Sequence, residues 1–334
     1  MKKTPHIVVT MGDPSGVGPE VCWKGITQQL LSQARISLIG IDSVLSESQS
    51  RFSSHLGKEA KNIDLISLSD SYQAPLEKGT PSVISGQSAL EAIRLATDLC
   101  LNNDADALVT APVSKKAIEM AGTPFTGHTE WISSRCGTYD EMMMMSDLSQ
   151  KLHVGYLTTH IPLKKVSKIL SPDLVERRLR QCLEFRSQLG DLRPIAICGL
   201  NPHAGENGLI GSEEDVIICP VVKKLQKESH PIEGPFPADT LFVESQRKRF
   251  SIILSLFHDQ GGIPFKMLAF DKGVNHTLGL PIVRTSVDHG TAWDIAWQGK
   301  ASGTSMTAAI EMAILRSKAG WKEQSSIHND APNP

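Results

Sequence analysis

No apolar run in this chain of 334 residues approaches the roughly 20 residues that a membrane-spanning helix needs. The start, Met1-Lys2-Lys3-Thr4-Pro5-His6, is basic like a signal peptide, but only Ile7-Val8-Val9 follows before Gly12-Asp13, too short an apolar stretch for export. Charge of one sign is also missing: the net charge is −2 and no basic block occurs, so neither a nucleic-acid nor an anionic-membrane surface is expected. There is no Cys-x-x-Cys. Cys22, Cys100, Cys136, Cys182, Cys198 and Cys219 are scattered, mostly within apolar patterns. They read as core thiols in a reducing cytoplasm, not as a zinc-thiolate site or a disulfide framework. The dinucleotide fingerprint Gly-x-Gly-x-x-Gly and internal repeats are absent as well.

What remains is the composition of a globular protein, 40% hydrophobic and 21% charged, long enough for one large or two medium domains. Apolar runs at 7–10, 36–41, 65–68, 107–111, 154–159 and 195–200 read as strands. Ala89, Ile93, Ala96 and Cys100 recur at helical spacing, which predicts a helix over 85–101; Ser171-Pro172 opens another, closed by Gly190, and 301–319 is a third. Strands alternating with helices predict an α/β fold with a largely parallel sheet. After the first strand, Met11-Gly12-Asp13-Pro14-Ser15-Gly16-Val17-Gly18-Pro19-Glu20 is either a backbone cradle for an anion or a tight strand-to-helix turn. The four methionines 142–145 read as buried packing, Ser212-Glu213-Glu214-Asp215 as an acidic helix start, Pro220 as a kink or restart of that helix, and the polar tail from Lys322 as frayed.

The chemistry concentrates where apolar runs end in histidine. The run 154–159 ends at His160, the run 195–200 leads through Asn201-Pro202 to His203, and 250–262 ends in His258-Asp259-Gln260-Gly261-Gly262, read as a strand followed by a loop of unusual backbone freedom. Ligands of open α/β sheets bind beyond the carboxyl ends of strands. A lone histidine is more often structural than a ligand, but three at similar strand ends suit a divalent metal, with Asp239 and Asp259 as supporting carboxylates. Lys266 and Arg284 are the natural candidates for an anionic substrate such as a phosphate ester. His128 and Thr129, at a helix start after Gly127, either bind an anion or merely cap and decorate the surface. Spacing alone does not choose among oxidation, aldol cleavage and hydrolysis.

The motifs taken together are more specific. They are Thr10-Met11-Gly12-Asp13-Pro14, Thr110-Ala111-Pro112-Val113-Ser114-Lys115, Phe125-Thr126-Gly127-His128-Thr129-Glu130, Thr158-Thr159-His160, Gly199-Leu200-Asn201-Pro202-His203-Ala204-Gly205-Glu206, Pro237-Ala238-Asp239-Thr240, His258-Asp259-Gln260-Gly261 and Thr285-Ser286-Val287-Asp288-His289-Gly290-Thr291-Ala292. In this order, over nearly the whole chain, they resemble the 4-hydroxythreonine-4-phosphate dehydrogenases of pyridoxal phosphate (vitamin B6) biosynthesis. The resemblance implies a two-domain isocitrate/isopropylmalate dehydrogenase-like fold with an active-site cleft between domains. Residues 1–127 plus 281–334 would form the cofactor side and 128–280 the metal, substrate and dimerisation domain. It implies a metal (Zn, Mg or Co) on His160, His203 and His258, shared across a homodimer, and substrate contacts from His128, Thr129, Lys266, Asn275 and Arg284. It also implies NAD or NADP against His289, Gly290, Thr291 and Asp294. The implied reaction oxidises C3 of 4-phosphooxy-L-threonine and decarboxylates the product to 3-amino-2-oxopropyl phosphate. The alternatives are the related 4-phospho-D-threonate/D-erythronate dehydrogenases and, in other classes, a metal-dependent aldolase or hydrolase or a phosphate-ester binding protein. Gly262, His276, Trp293 and Trp297 depart from the family pattern.

Overall fold

The computed structural model describes residues 4–68, 72 and 76–319; the tail from Lys322 and part of the connection 69–85 lie outside the described residues. The strands are β1 (His6–Thr10), β2 (Arg35–Gly40), β3 (Asp64–Ser67), β4 (Ala107–Thr110), β5 (Met142–Asp147), β6 (Leu152–Tyr156), β7 (Ile195–Cys198), β8 (Ile232–Phe236), β9 (Ile252–Ser255), β10 (Val274–Leu278) and β11 (Val283–Val287). Two units divide them, Met1–Glu141 with Leu280–Pro334, and Met142–Gly279.

In the first unit β3, β2, β1, β4 and β11 lie side by side in that order, all parallel, with Val8 opposite Ser37 on one side and Leu108 on the other. The helix Val83–Leu101 starts earlier than periodicity predicts because Ser82 and Ser85 cap each other: Ser85 N donates to Ser82 Oγ (3.1 Å) and Ser82 N to Ser85 Oγ (3.0 Å). It buries Ala92, Ile93, Ala96 and Cys100 with Val8 and Leu108. Ile132 joins this core, so the helix His128–Arg135, which the sequence assigned to the second segment, falls in the first unit.

The glycine-rich loop after β1 resolves its two readings in favour of the tight turn. Met11 N donates to Ile39 O (3.1 Å), Asp13 N to Pro112 O (2.9 Å), Gly16 N to Asp13 O (3.1 Å) and Val17 N to Thr291 O (2.9 Å). Ser15 N donates to Asp13 Oδ1 (2.9 Å), so these amides already have protein acceptors. Gly12 is required: its φ is +67° and a Cβ would stand 2.2 Å from Pro112 O. The following helix, Gly18–Gly25, carries Pro19 in its first turn and Glu20 buried behind it. Glu20 accepts from Lys24 Nζ (2.9 Å), Ala301 N (2.7 Å) and Gly299 N (3.1 Å), while Lys24 donates to Gly299 O (2.6 Å) and Ala301 O (2.8 Å). This clamp holds the chain behind Trp297. Glu20→Ala leaves donors unpaired in a dry setting and is expected to cost about 3 kcal/mol, read as a lower urea midpoint.

In the second unit the order is β10, β5, β6, β9, β7, β8. Here the expectation of parallel pairing holds for β6, β9, β7 and β8, but β10–β5 and β5–β6 are antiparallel. A hairpin is responsible: Asp147 Oδ1 accepts from Ser149 N (2.8 Å) and Gln150 N (3.2 Å), and Lys151 is left-handed at φ +50°. The methionine run forms β5, with Met142, Met144 and Met145 buried.

His276, one of the departures from the family pattern, is wholly buried on β10. Its Nε2 lies 2.8 Å from Ser146 Oγ, whose other neighbour is His153 Nδ1 at 2.8 Å. Burial, with Arg193 assisting and Asp191 and Asp147 opposing, holds the His153 imidazole down at about 4. The unfolded chain, with an ordinary pKa near 6.5, therefore binds the proton first. Stability is complete above about pH 6.5 and is lost as pH falls toward 4. Urea unfolding at pH 7.5 and 5.0 should differ by about 2 kcal/mol from this group, and the difference should shrink in His153→Gln.

The segment 250–262 corrects the sequence reading. The strand ends at Ser255, and His258-Asp259-Gln260-Gly261-Gly262 is not a loop but the first turns of the helix His258–Ala269. Gly261 serves close packing instead of backbone freedom: a Cβ there would lie 2.5 Å from Ser255 Oγ and 2.7 Å from Val154 Cγ1.

Candidate active site

In the first unit Arg284 is a buried cation, 2% exposed on β11. Its Nη2 donates to Thr110 Oγ1 (3.0 Å) at the end of β4, and its Nη1 to Thr129 Oγ1 (3.3 Å) in the first turn of His128–Arg135. Burial, partly offset by Glu130, lowers the guanidinium to about 10, which leaves it cationic at neutral pH. His128 begins the same helix, edge-on to Phe125 at 5.9 Å between ring centroids. Its Nε2 is enclosed without a partner among the described residues. Burial, then Arg284 and Lys115, push the imidazole down to about 3, so it is neutral and offers either a donor or an acceptor. Lys115 follows Ser114, whose Oγ accepts from Ala117 N (3.0 Å) and starts the helix Lys115–Met120. The structure thus brings Arg284, Thr129 and His128 together and adds Lys115, a motif residue that sequence reasoning left without a role. Two cations, a hydroxyl and a neutral imidazole at a helix start can hold a phosphate or carboxylate.

The cofactor candidates also lie in this unit. Thr291 O receives Val17 N, His289 Nδ1 is 3.0 Å from Gly290 O, and Asp294 is exposed in the short turn Trp293–Ile295. Trp297 is buried, its Nε1 donating to Pro14 O (2.9 Å), with Lys78 Nζ 4.2 Å above its ring. The Asp13 carboxyl behind this loop is raised by burial, against the Ser15 N–H, Ser85 and Trp293.

In the second unit His160 and His258 face each other, ring centroids 5.8 Å apart, across a cavity of about 390 Å³ lined by Thr159, Phe257 and Asp259 among others. Tyr156 stacks on His258 at 5.7 Å, and His258 Nδ1 is 2.7 Å from Asp259 Oδ1. That contact orients the ring and leaves Nε2 for another partner. Two imidazoles sharing one ion at bonds of about 2.0–2.1 Å put their centroids roughly 5–6 Å apart, and the spacing of this pair falls in that range. Gly262 borders this ring: a Cβ would sit at ordinary contact, 3.5 Å from His258 Cε1. Gly262→Ala should therefore gain about 1 kcal/mol of helix stability, whereas Gly261→Ala should lose stability, as paired thermal melts would show.

His203 is not with them. It lines a different cavity, of about 670 Å³, with Glu206, Asn207 and Asp215. Within one chain, therefore, the expectation of three histidines at one sheet edge is corrected to two. Among the described residues no group of three or more His, Cys, Asp or Glu is placed to hold a metal. Asp239 stands exposed in the short helix Ala238–Leu241. Lys266 is exposed on His258–Ala269, and Asn275 is half-buried on β10 opposite Met145.

The chain around His203 is unusual. His203, Ala204, Gly205, Glu206, Asn207 and Gly208 all have positive φ, +53°, +54°, +80°, +44°, +55° and +86°. His203, Ala204 and Glu206 each cost roughly 1–2 kcal/mol there. The expected acidic helix start supplies the support. Glu214, 2% exposed in the π-type turn Glu214–Ile218, accepts from Leu200 N and Asn201 N (both 2.7 Å) and Asn201 Nδ2 (2.8 Å). Pro220 then restarts the chain as the helix Cys219–Lys227. From the other side Gln260 Nε2 donates to Gly199 O (2.7 Å) while its Oε1 accepts from Leu256 N (2.7 Å). Neither residue was given this role from the sequence; Glu214 stood in a run that reads as an acidic helix start.

Comparison with known proteins gives the family. The family model described as pyridoxal phosphate biosynthetic protein PdxA matches residues 20–313. A 4-hydroxythreonine-4-phosphate dehydrogenase from Desulforapulum autotrophicum is 39% identical, covering 93% of this chain and 95% of its own. A D-threonate 4-phosphate dehydrogenase from Salmonella typhimurium is 36% identical, over 93% and 99%. The crystal structure of a 4-hydroxythreonine-4-phosphate dehydrogenase from Klebsiella pneumoniae superposes with a TM-score of 0.81 at 36% identity, covering 94% of this chain and 98% of that one. Isocitrate dehydrogenase from Methylococcus capsulatus shares the fold at 14% identity and TM-score 0.50, with 94% and 87% covered. From its motifs, its fold and this likeness over nearly its full length, the chain belongs to the PdxA family of pyridoxal phosphate biosynthetic proteins.

Proposed function

We propose that the protein oxidises 4-phosphooxy-L-threonine at C3 with NAD⁺ or NADP⁺ and releases carbon dioxide to give 3-amino-2-oxopropyl phosphate. Arg284, Thr129 and His128, with Lys115, would grip an anionic end of the substrate, and Lys266 and Asn275 are proposed as further substrate contacts. His289, Gly290, Thr291 and Asp294 would border the nicotinamide cofactor. A Zn, Mg or Co ion on His160 and His258, when bound, would lower the pKa of a coordinated hydroxyl and polarise a carbonyl. The observation that carries this reading is the pairing of His160 with His258 beside Asp259.

The third imidazole would be the partner subunit's His203 in a homodimer. Apolar side chains support a self-association surface at both places. Met267 is 82% and Phe270 74% exposed at and just beyond the end of the helix that His258 begins, and Leu209 and Val216 are exposed near His203. All six cysteines are free, as a reducing cytoplasm would keep them.

A second reading has its own support: relatives of comparable identity carry the name D-threonate 4-phosphate dehydrogenase. Incubation with a divalent metal, NAD⁺ and each phosphate ester, followed by nicotinamide absorbance, separates the two. Reduction with the 2-amino substrate is expected. Reduction with 2-hydroxy acids alone would transfer the assignment to the second reading, and cleavage without reduction would exclude a dehydrogenase.

A further inference from the structure

We propose that Glu214 is a positioning residue for His203, a role that rests on the metal reading above. The strand β7 ends at Cys198, and the next residues are gripped from two sides: Gln260 takes Gly199 O, and Glu214 takes Leu200 N, Asn201 N and Asn201 Nδ2. Immediately beyond, the chain turns through six consecutive left-handed residues, of which His203 is the first. Gly205, Asn207 and Gly208 accept this conformation, and the turn bonds itself through Ala204 N to Asn201 O (3.1 Å) and Gly208 N to Gly205 O (3.0 Å). His203, Ala204 and Glu206 are strained in it, however, so its entrance depends on the grip on Leu200 and Asn201.

The Glu214 carboxylate also fills the space inside the turn. A Cβ on Gly205 would lie 2.8 Å from its Oε2, while a Cβ on Gly199 would meet Ala204 Cα first, at 2.7 Å, and Glu214 Oε1 at 3.1 Å. The carboxylate thus sits inside the turn that 199–208 makes, against Gly205. It reaches His203 only through the backbone, so its effect is to aim the imidazole. Glutamine at 214 keeps the size, but its single oxygen can serve either the Leu200 and Asn201 amides or Asn201 Nδ2, and its NH₂ then faces the other as donor against donor, which loosens the turn.

The test is Co²⁺ titration of the metal-free full-length protein, followed by the visible spectrum of bound cobalt, for wild type, His203→Ala, Glu214→Gln and Glu214→Asp. Glu214→Gln should weaken Co²⁺ binding about 10–100-fold and alter the spectrum, as loss of an orienting group does, with Glu214→Asp intermediate. The KM for the phosphate ester at saturating metal should stay within about threefold of wild type, which a general loss of structure would not allow. If Glu214→Gln does not fold, Glu214→Asp decides. Wild-type cobalt affinity and spectrum in a folded Glu214 variant, with weakened binding in His203→Ala, would overturn the positioning role and leave the metal reading standing. Unchanged cobalt binding in His203→Ala would overturn both.

Discussion

Arg284→Lys is expected to lower kcat/KM for the phosphorylated substrate by about 10³, equivalent to roughly 4 kcal/mol, while the protein stays folded. Lysine keeps the charge, so bulk attraction for an anion survives. What it loses is the planar fork. In the structure Nη1 and Nη2 are held by Thr129 and Thr110, from two different elements, and this fixes the guanidinium before any ligand arrives. A flexible ammonium cannot satisfy both hydroxyls and present paired donors to a phosphate or carboxylate. The loss should fall mainly on KM, because the interaction is made with the bound substrate from the start. Steady-state kinetics with a thermal melt as control measure it. A change of less than about tenfold would remove Arg284 from the substrate site.

His203→Ala and His258→Ala should each reduce turnover by about 10³ or more. Neither should unfold the chain, since in the single protomer His203 is exposed and the His258 side chain is 39% exposed. The pair also tests how the site is assembled. If His160 and His258 act with the partner subunit's His203, the two inactive variants complement each other on mixing under conditions that exchange subunits. A heterodimer then holds one intact site, built from the His203→Ala chain's own His160 and His258 and the other chain's His203. Random exchange should restore about a quarter of wild-type activity. If all three rings came from one chain, mixing would restore nothing. No recovery despite proven subunit exchange would refute the shared site.

Much of this site was readable from local pattern. The ends of apolar runs mark His160 and His203, and Arg284 stands out as a cation inside an apolar stretch. Periodicity located the helix Val83–Leu101 and the alternation that makes the first unit parallel. These features depend on side-chain type at short separations, which a sequence displays directly.

The destinations of backbone amides and buried carboxylates were not readable, because they depend on residues far along the chain. Thr291 consumes Val17 N, Pro112 consumes Asp13 N, and the glycine loop is therefore a turn. Glu214 and Glu213 are neighbours in one acidic run, yet only Glu214 is buried, since Leu200 and Asn201 need an acceptor there. His258 reads as the end of a strand but begins a helix, because Gly261 lets that helix approach Ser255 and Val154. Sequence by itself nominated the residues proposed to carry the chemistry and determined which runs are buried. The tertiary structure alone decided which of them meet, because each hydrogen-bond donor takes whichever acceptor the folded chain brings within about 3 Å, at any distance in sequence.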